Sequence, residues 1–387
     1  MPGRPFLAIP GPTLVPERIV RAMSQPIIDH RGPRFEALVR DCLEGLKRVF
    51  QTERGQVALF PGSGTGAWEA TIVNTLSPGD RVLAVINGYF STGFARTAAS
   101  FGVEVERIEV PYGAGVPAAE VEARLRADAA REIRAVLVVH NETSTGVTSD
   151  IAAVRTAMDR AGHPALLLVD TVSSLASIDF RFDAWGVDVA LTGPQKGLML
   201  PPGMAIVAVS ERAVTASEKA KCPRSYWDWR PVFERNRRGQ YPYTPATMLL
   251  FGLREAIAML EEEGLANVFA RHARLAAACR SAVRAWGLDI LCRNPAEHSS
   301  TLTAVVMPPG RDSDGFIAHA YRRLELSLGI GLGDVKGTVF RIGHLGALNE
   351  LDLLGSLAGV EMMLREYGVP VRPGAGVGAA QESLLSA

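Results

Sequence analysis

The most constraining feature of the chain is a series of short apolar segments that alternate with helical patterns from about residue 55 onward. Continuous apolar runs are typical of strands buried on both faces. The pattern therefore predicts an α/β fold with a mostly parallel sheet covered by helices. Seven such strands are predicted, at 57–60, 81–86, 103–109, 134–140, 165–169, 187–192 and 204–209. Sheets of this kind bind ligands at the carboxyl ends of their strands.

The second half of the chain has a different pattern. Long helices are predicted at 247–263, 265–286 and 349–367, and a helix at 313–326 separates two apolar strands. Those strands, at 301–307 and 338–342, indicate a smaller α/β domain packed on the first. We therefore divide the chain into an N-terminal segment (1–20), a large domain (21–245), a small C-terminal domain (246–372) and a glycine- and alanine-rich tail (373–387).

Composition excludes several classes of partner. Forty-one basic residues balance forty-one acidic ones in a chain of 387, so nothing favours nucleic acid or an anionic membrane as a partner. No apolar run approaches membrane-spanning length, and prolines interrupt the N-terminal segment where a signal peptide needs an apolar core. The four cysteines lack a Cys-x-x-Cys pair, which favours reduced thiols over a zinc site. We expect a cytoplasmic protein without a metal.

Two polar residues follow predicted strands of the sheet. Asp170 comes directly after the strand 165–169, and Lys196 lies in the loop after the strand 187–192. Both therefore fall at the carboxyl edge of the sheet. An amine and a carboxylate so placed suit pyridoxal phosphate, because the amine forms a Schiff base and the carboxylate keeps the pyridine nitrogen protonated. Taken singly, Lys196 has a structural or surface lysine as its alternative, and Asp170 a turn or helix-cap residue.

A glycine-rich segment, residues 62–66 (Gly-Ser-Gly-Thr-Gly), lies between the first predicted strand and the helix that follows it. Glycines let the backbone approach a ligand, and the free amides of a helix start attract an anion. A phosphate placed here would also meet the hydroxyls of Ser63 and Thr65. A turn whose glycines serve packing alone is the alternative. The segment is not a Walker loop, because no Gly-Lys-Ser/Thr follows it. It fits the dinucleotide fingerprint poorly, because Glu69 stands where the third glycine would be.

Longer motifs complete the set. They are Ile9-Pro-Gly-Pro, Pro61-Gly-Ser-Gly-Thr-Gly-Ala-Trp-Glu, His140-Asn-Glu-Thr-Ser-Thr-Gly-Val, Val169-Asp-Thr-Val-Ser-Ser, Gly193-Pro-Gln-Lys-Gly, Tyr241-Pro-Tyr-Thr-Pro and Val339-Phe-Arg-Ile-Gly-His-Leu-Gly. Nearly end to end, the chain resembles the class V (fold type I) pyridoxal-phosphate aminotransferases, within the serine/alanine–glyoxylate aminotransferase group. The resemblance implies that fold, pyridoxal 5'-phosphate as cofactor, and a homodimer with active sites at its interface.

The resemblance also implies roles around the cofactor ring. Lys196 would bind the cofactor as a Schiff base and move the proton between the substrate α-carbon and the cofactor. Asp170 would pair with the pyridinium nitrogen. Phe90 would stack on one face of the ring and Val172 on the other, although an ordinary buried aromatic is the alternative for Phe90. Thr143 would bind the ring hydroxyl or the substrate, with an ordinary β-turn threonine as its alternative.

The remaining implied contacts concern the phosphate and the substrate. The phosphate would be held by Ser63, Gly64, Thr65 and Gln195, with Tyr241 and Thr244 reaching it across a dimer interface. Arg341 lies in an otherwise apolar predicted strand, where an unpaired guanidinium is costly. Its planar fork suits the α-carboxylate of an amino acid. An internal salt bridge is the alternative.

The expected reaction is ping-pong transamination. L-serine, and also L-alanine, would give its amino group to glyoxylate, with glycine and hydroxypyruvate or pyruvate as products. L-aspartate is the rival donor and would need a second cation, for which Arg31, Arg34 and Arg224 are candidates. A lyase of the same fold, such as a cysteine desulfurase or kynureninase, is a further alternative. Cys292 follows an apparent strand instead of lying in a glycine-rich loop, which argues against a desulfurase. A non-enzymatic or nucleotide-binding α/β protein is the third hypothesis.

Overall fold

A computed structural model of the chain describes residues 5–386. Its strands are β1 (Phe6–Ala8), β2 (Gln56–Pro61), β3 (Arg81–Ile86), β4 (Glu104–Glu109), β5 (Ile133–Val139), β6 (Asn141–Glu142), β7 (Val147–Thr148), β8 (Leu166–Asp170), β9 (Val189–Thr192), β10 (Met204–Val209), β11 (Asp289–Ile290), β12 (Leu302–Val306), β13 (Leu326–Ile330) and β14 (Val339–Gly343).

The α-helices are α1 (Glu17–Met23), α2 (Pro33–Phe50), α3 (Gly64–Thr75), α4 (Tyr89–Ser100), α5 (Ala118–Ala127), α6 (Ile151–Arg160), α7 (Glu211–Lys219), α8 (Trp229–Asn236), α9 (Thr247–Glu263), α10 (Leu265–Ala285), α11 (Ser313–Leu324), α12 (Glu350–Glu366) and α13 (Ala375–Leu385). Two short 3-10 helices occur at Pro295–Glu297 and Gly333–Val335. Among the helices of residues 5–386, none combines the length and the apolar character that a transmembrane helix needs.

The large sheet has seven strands in the order β2-β10-β9-β8-β5-β3-β4. β10 is antiparallel to both of its neighbours, β2 and β9, and the other pairs of this sheet are parallel. The predicted mostly parallel, seven-stranded sheet is therefore confirmed. Alternate residues of β8 enter two different cores, with Leu167 and Val169 on one face and Leu166 and Leu168 on the other. Burial on both faces explains why these strands are continuously apolar in sequence.

The order of strands brings the predicted site residues to one edge. β8 and β9 are parallel neighbours, and Asp170 at the end of β8 is in register with Leu191 of β9. Lys196 follows in the turn after β9. The structure thus places both residues at the same carboxyl edge, as the sequence pattern predicts.

A second sheet has five strands in the order β1-β13-β14-β12-β11, four of them from the region predicted to be the smaller domain. The prediction of one helix over 313–326 differs from the structure, because α11 ends at Leu324 and β13 begins at Leu326. Glu325 between them has a left-handed backbone (φ 50°), which ends the helix and reverses the chain. The N-terminal strand β1 pairs in parallel with β13, so the N-terminal segment is built into the small-domain sheet.

The segment 373–387, predicted as a tail, contains helix α13, which packs against α10. Gly376 lies beneath the ring of Trp286, where a Cβ would come within 2.1 Å of Nε1. The carboxylate of Glu361 accepts the backbone N–H groups of Gly374 and Gly376 at 2.5 and 2.7 Å. A buried anion at the start of a helix satisfies amides that have no intrahelical acceptor. That cap gives this alanine- and glycine-rich segment a fixed start.

One glycine allows the N-terminal segment to pass close to β14. A Cβ on Gly343 would lie 2.1 Å from the carbonyl oxygen of Ile9 and 2.7 Å from the nitrogen of Pro10. We expect Gly343→Ala to lower the free energy of unfolding by about 1–3 kcal/mol, because these backbone atoms cannot turn aside. Urea denaturation measures the change. Gly378→Ala is the control, since a Cβ there meets nothing within 4 Å and alanine favours a helix. Unchanged stability of Gly343→Ala would contradict the prediction.

Candidate active site

A pocket lies at the carboxyl ends of β5 and β8, beside the first turns of α3 and α4. Its volume is about 150 Å³. It is lined by Ser63, Gly64, Thr65, Trp68, Phe90, Val139, Asn141, Thr143, Asp170, Val172, Gln195 and Lys196. All the site residues predicted from the sequence belong to this set except Tyr241, Thr244 and Arg341.

The glycine-rich segment forms one end of the pocket. Ser63 caps α3, and its hydroxyl accepts the backbone N–H of Gly66 at 3.2 Å. The first amides of a helix have no intrahelical acceptor, and the first turn of α3 contains no acidic residue to offset its partial positive charge. Gly64 also passes close to Val172, whose Cγ2 would lie 2.9 Å from a Cβ on that glycine. This end of the pocket therefore favours an anion.

Aromatic side chains support the segment from behind. A Cβ on Gly62 or Gly66 would lie 2.9 or 2.6 Å from the ring of Trp227. The neighbouring Tyr226 donates its hydroxyl to the carbonyl of Pro61 at 2.9 Å. Because Gly62 and Gly66 have no side chain, the ring of Trp227, in the turn 226–229, can pack directly against this segment.

Asp170 holds its carboxylate in a fixed orientation. Its Oδ1 accepts the backbone N–H of Val172 and its Oδ2 accepts the indole N–H of Trp68, each at 2.7 Å. Burial raises the pKa of Asp170 to about 6, although these hydrogen bonds and the Lys196 ammonium act in the opposite direction. A cationic partner in the pocket would stabilise the ionised form.

Lys196 reaches the same pocket from the turn after β9. Its Nζ donates to the backbone carbonyl of Pro10, which belongs to the N-terminal segment. A Cβ on Gly11 would lie 2.5 Å from Nζ, so the glycine of the Ile9-Pro-Gly-Pro motif makes room for the lysine. Burial and the charge of Arg341 lower the pKa of Lys196 to about 8, whereas Asp170 raises it. An appreciable fraction of the amine is therefore neutral and nucleophilic near neutral pH.

Arg341 lies in β14, next to the pocket lining, and its side chain is buried. Its Nη1 donates to the carbonyl of Thr143 and its Nε to the carbonyl of Ile330, both at 2.8 Å. Burial lowers the pKa of Arg341 to about 10, and the negative charge of Glu142 opposes that shift. Neither hydrogen-bond partner is a carboxylate, so within residues 5–386 the internal salt bridge is not found. The guanidinium retains N–H groups for an external carboxylate.

A buried carboxylate that the sequence did not single out supports this region. Glu142 accepts the backbone N–H groups of Phe90 at 3.3 Å and Ser91 at 2.9 Å, and the hydroxyl of Ser144 at 2.7 Å. It therefore occupies the N-terminus of α4, where negative charge is favourable. The anchored backbone carries Phe90 into the pocket lining.

Thr143 and Asn141 belong to a buried polar network. The hydroxyl of Thr143 donates to the Ser173 hydroxyl oxygen at 2.7 Å, and Asn141 donates to the same oxygen at 2.8 Å. Asn141 also donates to the hydroxyl of Thr301 in the second half of the chain at 3.1 Å. The network connects the pocket with the smaller domain. It fixes side chains that face the interior of the site.

Gln195 supplies another polar group. Its side-chain oxygen is buried and has no hydrogen-bond partner among the described residues. The oxygen and nitrogen of an amide are assigned from their surroundings, so the same end can also present N–H groups. The pocket therefore contains a polar group that a ligand can satisfy.

Tyr241 and Thr244 lie away from the pocket of their own chain. The ring of Tyr241 packs against Phe35 with the centroids 6.3 Å apart. Its hydroxyl is buried without a partner in residues 5–386, and Thr244 is exposed. Their reach across a dimer interface remains a prediction.

Sequence reasoning missed Trp68, Val139 and Asn141 in the lining. Trp68 and Asn141 stand inside two of the quoted motifs, two residues from Gly66 and Thr143 respectively. Their position in those motifs was the available signal. What the sequence did not reveal was which buried partner each side chain meets.

The chain is similar to known aminotransferases. Residues 6–316 match the family model for class-V aminotransferases. The chain is 50% identical to an L-aspartate–glyoxylate aminotransferase of Paracoccus denitrificans, over 97% of this chain and 94% of that protein. It is also 50% identical to a serine–glyoxylate aminotransferase of Methylorubrum extorquens, over 99% and 96%. A crystal structure of pyridoxamine-pyruvate aminotransferase from Mesorhizobium loti superposes with a TM-score of 0.92 at 28% identity, over 99% and 98%.

The lowered pKa of Lys196 predicts its reactivity. An amine reacts with aldehydes only when neutral, so labelling of Lys196 by a small aldehyde and borohydride should rise with pH and reach half its maximum at about pH 8. An ordinary lysine, with a pKa of about 10.4, should still be far from its maximum there. Peptide mass spectrometry of dialysed protein measures both. A Lys196 profile that keeps rising at about pH 10 would contradict the prediction.

Proposed function

The chain belongs to the class-V aminotransferase family, and we propose that it transfers the amino group of a small L-amino acid to glyoxylate by a ping-pong mechanism. The donor is L-serine, and also L-alanine, and the products are glycine and hydroxypyruvate or pyruvate. The observation that carries the proposal is the convergence of Lys196, Asp170 and an anion-binding helix end in one pocket, with Arg341 beside it. The serine–glyoxylate activity named for the Methylorubrum extorquens relative supports the choice of substrates.

The pocket fits the cofactor of this family, pyridoxal 5'-phosphate. An oriented, buried carboxylate at Asp170 suits a protonated pyridine nitrogen. The start of α3, the hydroxyls of Ser63 and Thr65, and the unpartnered amide of Gln195 suit a phosphate. When bound, the cofactor withdraws electrons from the substrate α-carbon.

The side chains of this chain would supply the remaining functions. Lys196 would hold the cofactor covalently and carry the proton to and from the α-carbon, a task that suits an amine with a pKa of about 8. Phe90 and Val172 would confine the two faces of the ring, and both line the pocket. The hydroxyl oxygen of Thr143, whose hydrogen is donated to Ser173, would accept a hydrogen bond from the ring hydroxyl or the substrate.

Arg341 would bind the α-carboxylate of donor and acceptor alike. Two of its N–H groups are held by the carbonyls of Thr143 and Ile330, which orient the guanidinium without neutralising it. A carboxylate would gain charge-assisted hydrogen bonds from the others. Both glyoxylate and a small amino acid carry that group, so one clamp serves both halves of the reaction.

The active enzyme in this proposal is a homodimer. Tyr241 carries a buried hydroxyl without a partner in residues 5–386, and Thr244 is exposed nearby in sequence. In the proposed assembly, this segment approaches the phosphate of the neighbouring subunit.

The cytoplasm is the proposed compartment, because the four cysteines are all unpaired thiols.

A second candidate donor is L-aspartate, favoured by the activity named for the Paracoccus denitrificans relative. A side-chain carboxylate would need another cation. Arg224 does not fit, because its guanidinium donates to the carbonyls of Val73, Ser217 and Ala220 away from the pocket. Arg31 and Arg34 are exposed and remain candidates, although neither lines the pocket of its own chain.

Initial rates of glycine formation from glyoxylate test the proposal directly. We expect L-serine and L-alanine to exceed L-aspartate by at least about tenfold in kcat/KM, because the single carboxylate clamp does not reward a second carboxylate. Lys196→Ala should reduce all rates by at least about 1,000-fold. Faster turnover of L-aspartate, lost in Arg31→Ala or Arg34→Ala, would establish the second candidate instead. Full activity of Lys196→Ala would end both.

Arg341→Ala should lower kcat/KM for every donor by about 100-fold or more, mainly through a higher KM, because the carboxylate loses charge-assisted hydrogen bonds. Arg341→Lys should be intermediate, since it keeps the charge and loses the planar fork. Arg96→Ala, at an exposed position of α4, is the control for removing an arginine. Unchanged KM values in Arg341→Ala would place the carboxylate site elsewhere.

A further inference from the structure

The indole of Trp68 makes a hydrogen bond that the proposed reaction does not yet use. Its Nε1 donates to Oδ2 of Asp170 at 2.7 Å, and both residues are largely buried, with exposed fractions of 8% and 3%. Both also line the pocket. A hydrogen bond from a donor stabilises the charged form of a buried carboxylate, because the donor replaces the water molecules that the carboxylate loses on burial.

Packing fixes the direction of this N–H independently of Asp170. The indole stacks on Phe94 of α4, with ring centroids 5.9 Å apart and an angle of 19° between the planes. On α4 the indole also meets Gly93, where a Cβ would lie 3.0 Å from two atoms of the indole. A larger side chain at that position would push the ring aside. Trp68 therefore presents its N–H from a rigid position between two helices.

Asp170 also accepts a hydrogen bond from the backbone. The backbone N–H of Val172 holds Oδ1 at 2.7 Å, so each oxygen has one protein donor. A carboxylate has further lone pairs, and Asp170 faces the pocket. Burial raises the pKa of Asp170, and the hydrogen bonds from Val172 and Trp68 lower it. Without the indole N–H, burial would raise the pKa of Asp170 further.

Two other indole–carboxylate pairs show what is particular here. Trp227 donates to Glu69 at 3.1 Å, and Trp286 donates to Glu361 at 2.9 Å. Neither of those carboxylates lines the pocket. Trp286 and Glu361 lie in the smaller domain, where the pair serves the packing of α13. That pair is a matched control for the loss of an indole N–H.

We propose that Trp68 is a positioning residue whose indole N–H keeps Asp170 ionised and correctly oriented for the pyridine nitrogen of the cofactor. The inference rests on the cofactor-binding part of the proposed function and is independent of the donor. An alternative is that the hydrogen bond merely satisfies a buried indole. The two differ in one respect: only the proposed role depends on the ring nitrogen.

The test compares binding of pyridoxal 5'-phosphate with binding of its deaza analogue, in which a C–H group replaces the ring nitrogen. Equilibrium dialysis of wild-type and Trp68→Phe protein gives four dissociation constants and hence a double-mutant cycle. We expect Trp68→Phe to reduce the preference for the natural cofactor by roughly 10- to 100-fold, the effect of one hydrogen bond to a charged group. Trp286→Phe should leave that preference unchanged.

The outcomes separate the inference from the proposed function. If the wild-type protein binds both compounds equally, the pairing of Asp170 with the ring nitrogen is wrong. If the wild-type protein prefers the natural cofactor and Trp68→Phe keeps the full preference, the role of Trp68 is wrong. Equal weakening of both compounds would show that Trp68 is only structural.

A second variant guards against misfolding. Benzothienyl-alanine incorporated at position 68 has the shape of tryptophan but carries sulfur in place of the N–H group. It should reproduce the reduced preference while keeping the stacking on Phe94. In the loaded protein, NMR of the isotope-labelled ring nitrogen should show a smaller protonated fraction than in the wild type. A fully protonated ring in this variant would overturn the inference.

Discussion

The site depends on two groups of opposite charge, Asp170 and Lys196, whose side chains are both buried. Burial raises the pKa of Asp170 to about 6 and contributes to lowering that of Lys196 to about 8, so each group is biased towards its neutral form. Their surroundings set how far this bias goes. Trp68 and the Val172 amide favour the carboxylate, whereas Arg341 disfavours the ammonium. The amine of Lys196 can therefore act as a nucleophile, and the carboxylate of Asp170 can bind a cationic group in the same pocket.

The pocket is built from segments that are distant in the sequence. Asp170 lies at the end of β8 and Lys196 in the turn after β9. The carbonyl that accepts the hydrogen bond from Lys196 belongs to Pro10 in the N-terminal segment. That segment is held by β1 in the small-domain sheet, and Gly343 lets it pass. Arg341 lies two residues before that glycine. Arg341, the proposed carboxylate-binding residue, and the N-terminal segment that contacts Lys196 therefore belong to one structural unit.

Much of this could be read from the sequence, because the large sheet is built from locally coded apolar strands and the site follows from where they end. Asp170 and Lys196 were predicted for that reason. The short strand β1 and the strand β13 were missed, because they depend on pairing between distant segments and on a left-handed residue at Glu325. Trp68 and Glu142 were missed for a related reason. A buried polar side chain reveals its role only through the partner that it meets.

In the proposed function one pocket carries both halves of a transamination, and the absorbance of the bound cofactor reports each half separately. With purified holoenzyme, we predict that L-serine alone bleaches the visible band in a single turnover, and that glyoxylate then restores it with formation of one equivalent of glycine. A band that L-serine leaves unchanged, or that glyoxylate cannot restore, would contradict the account.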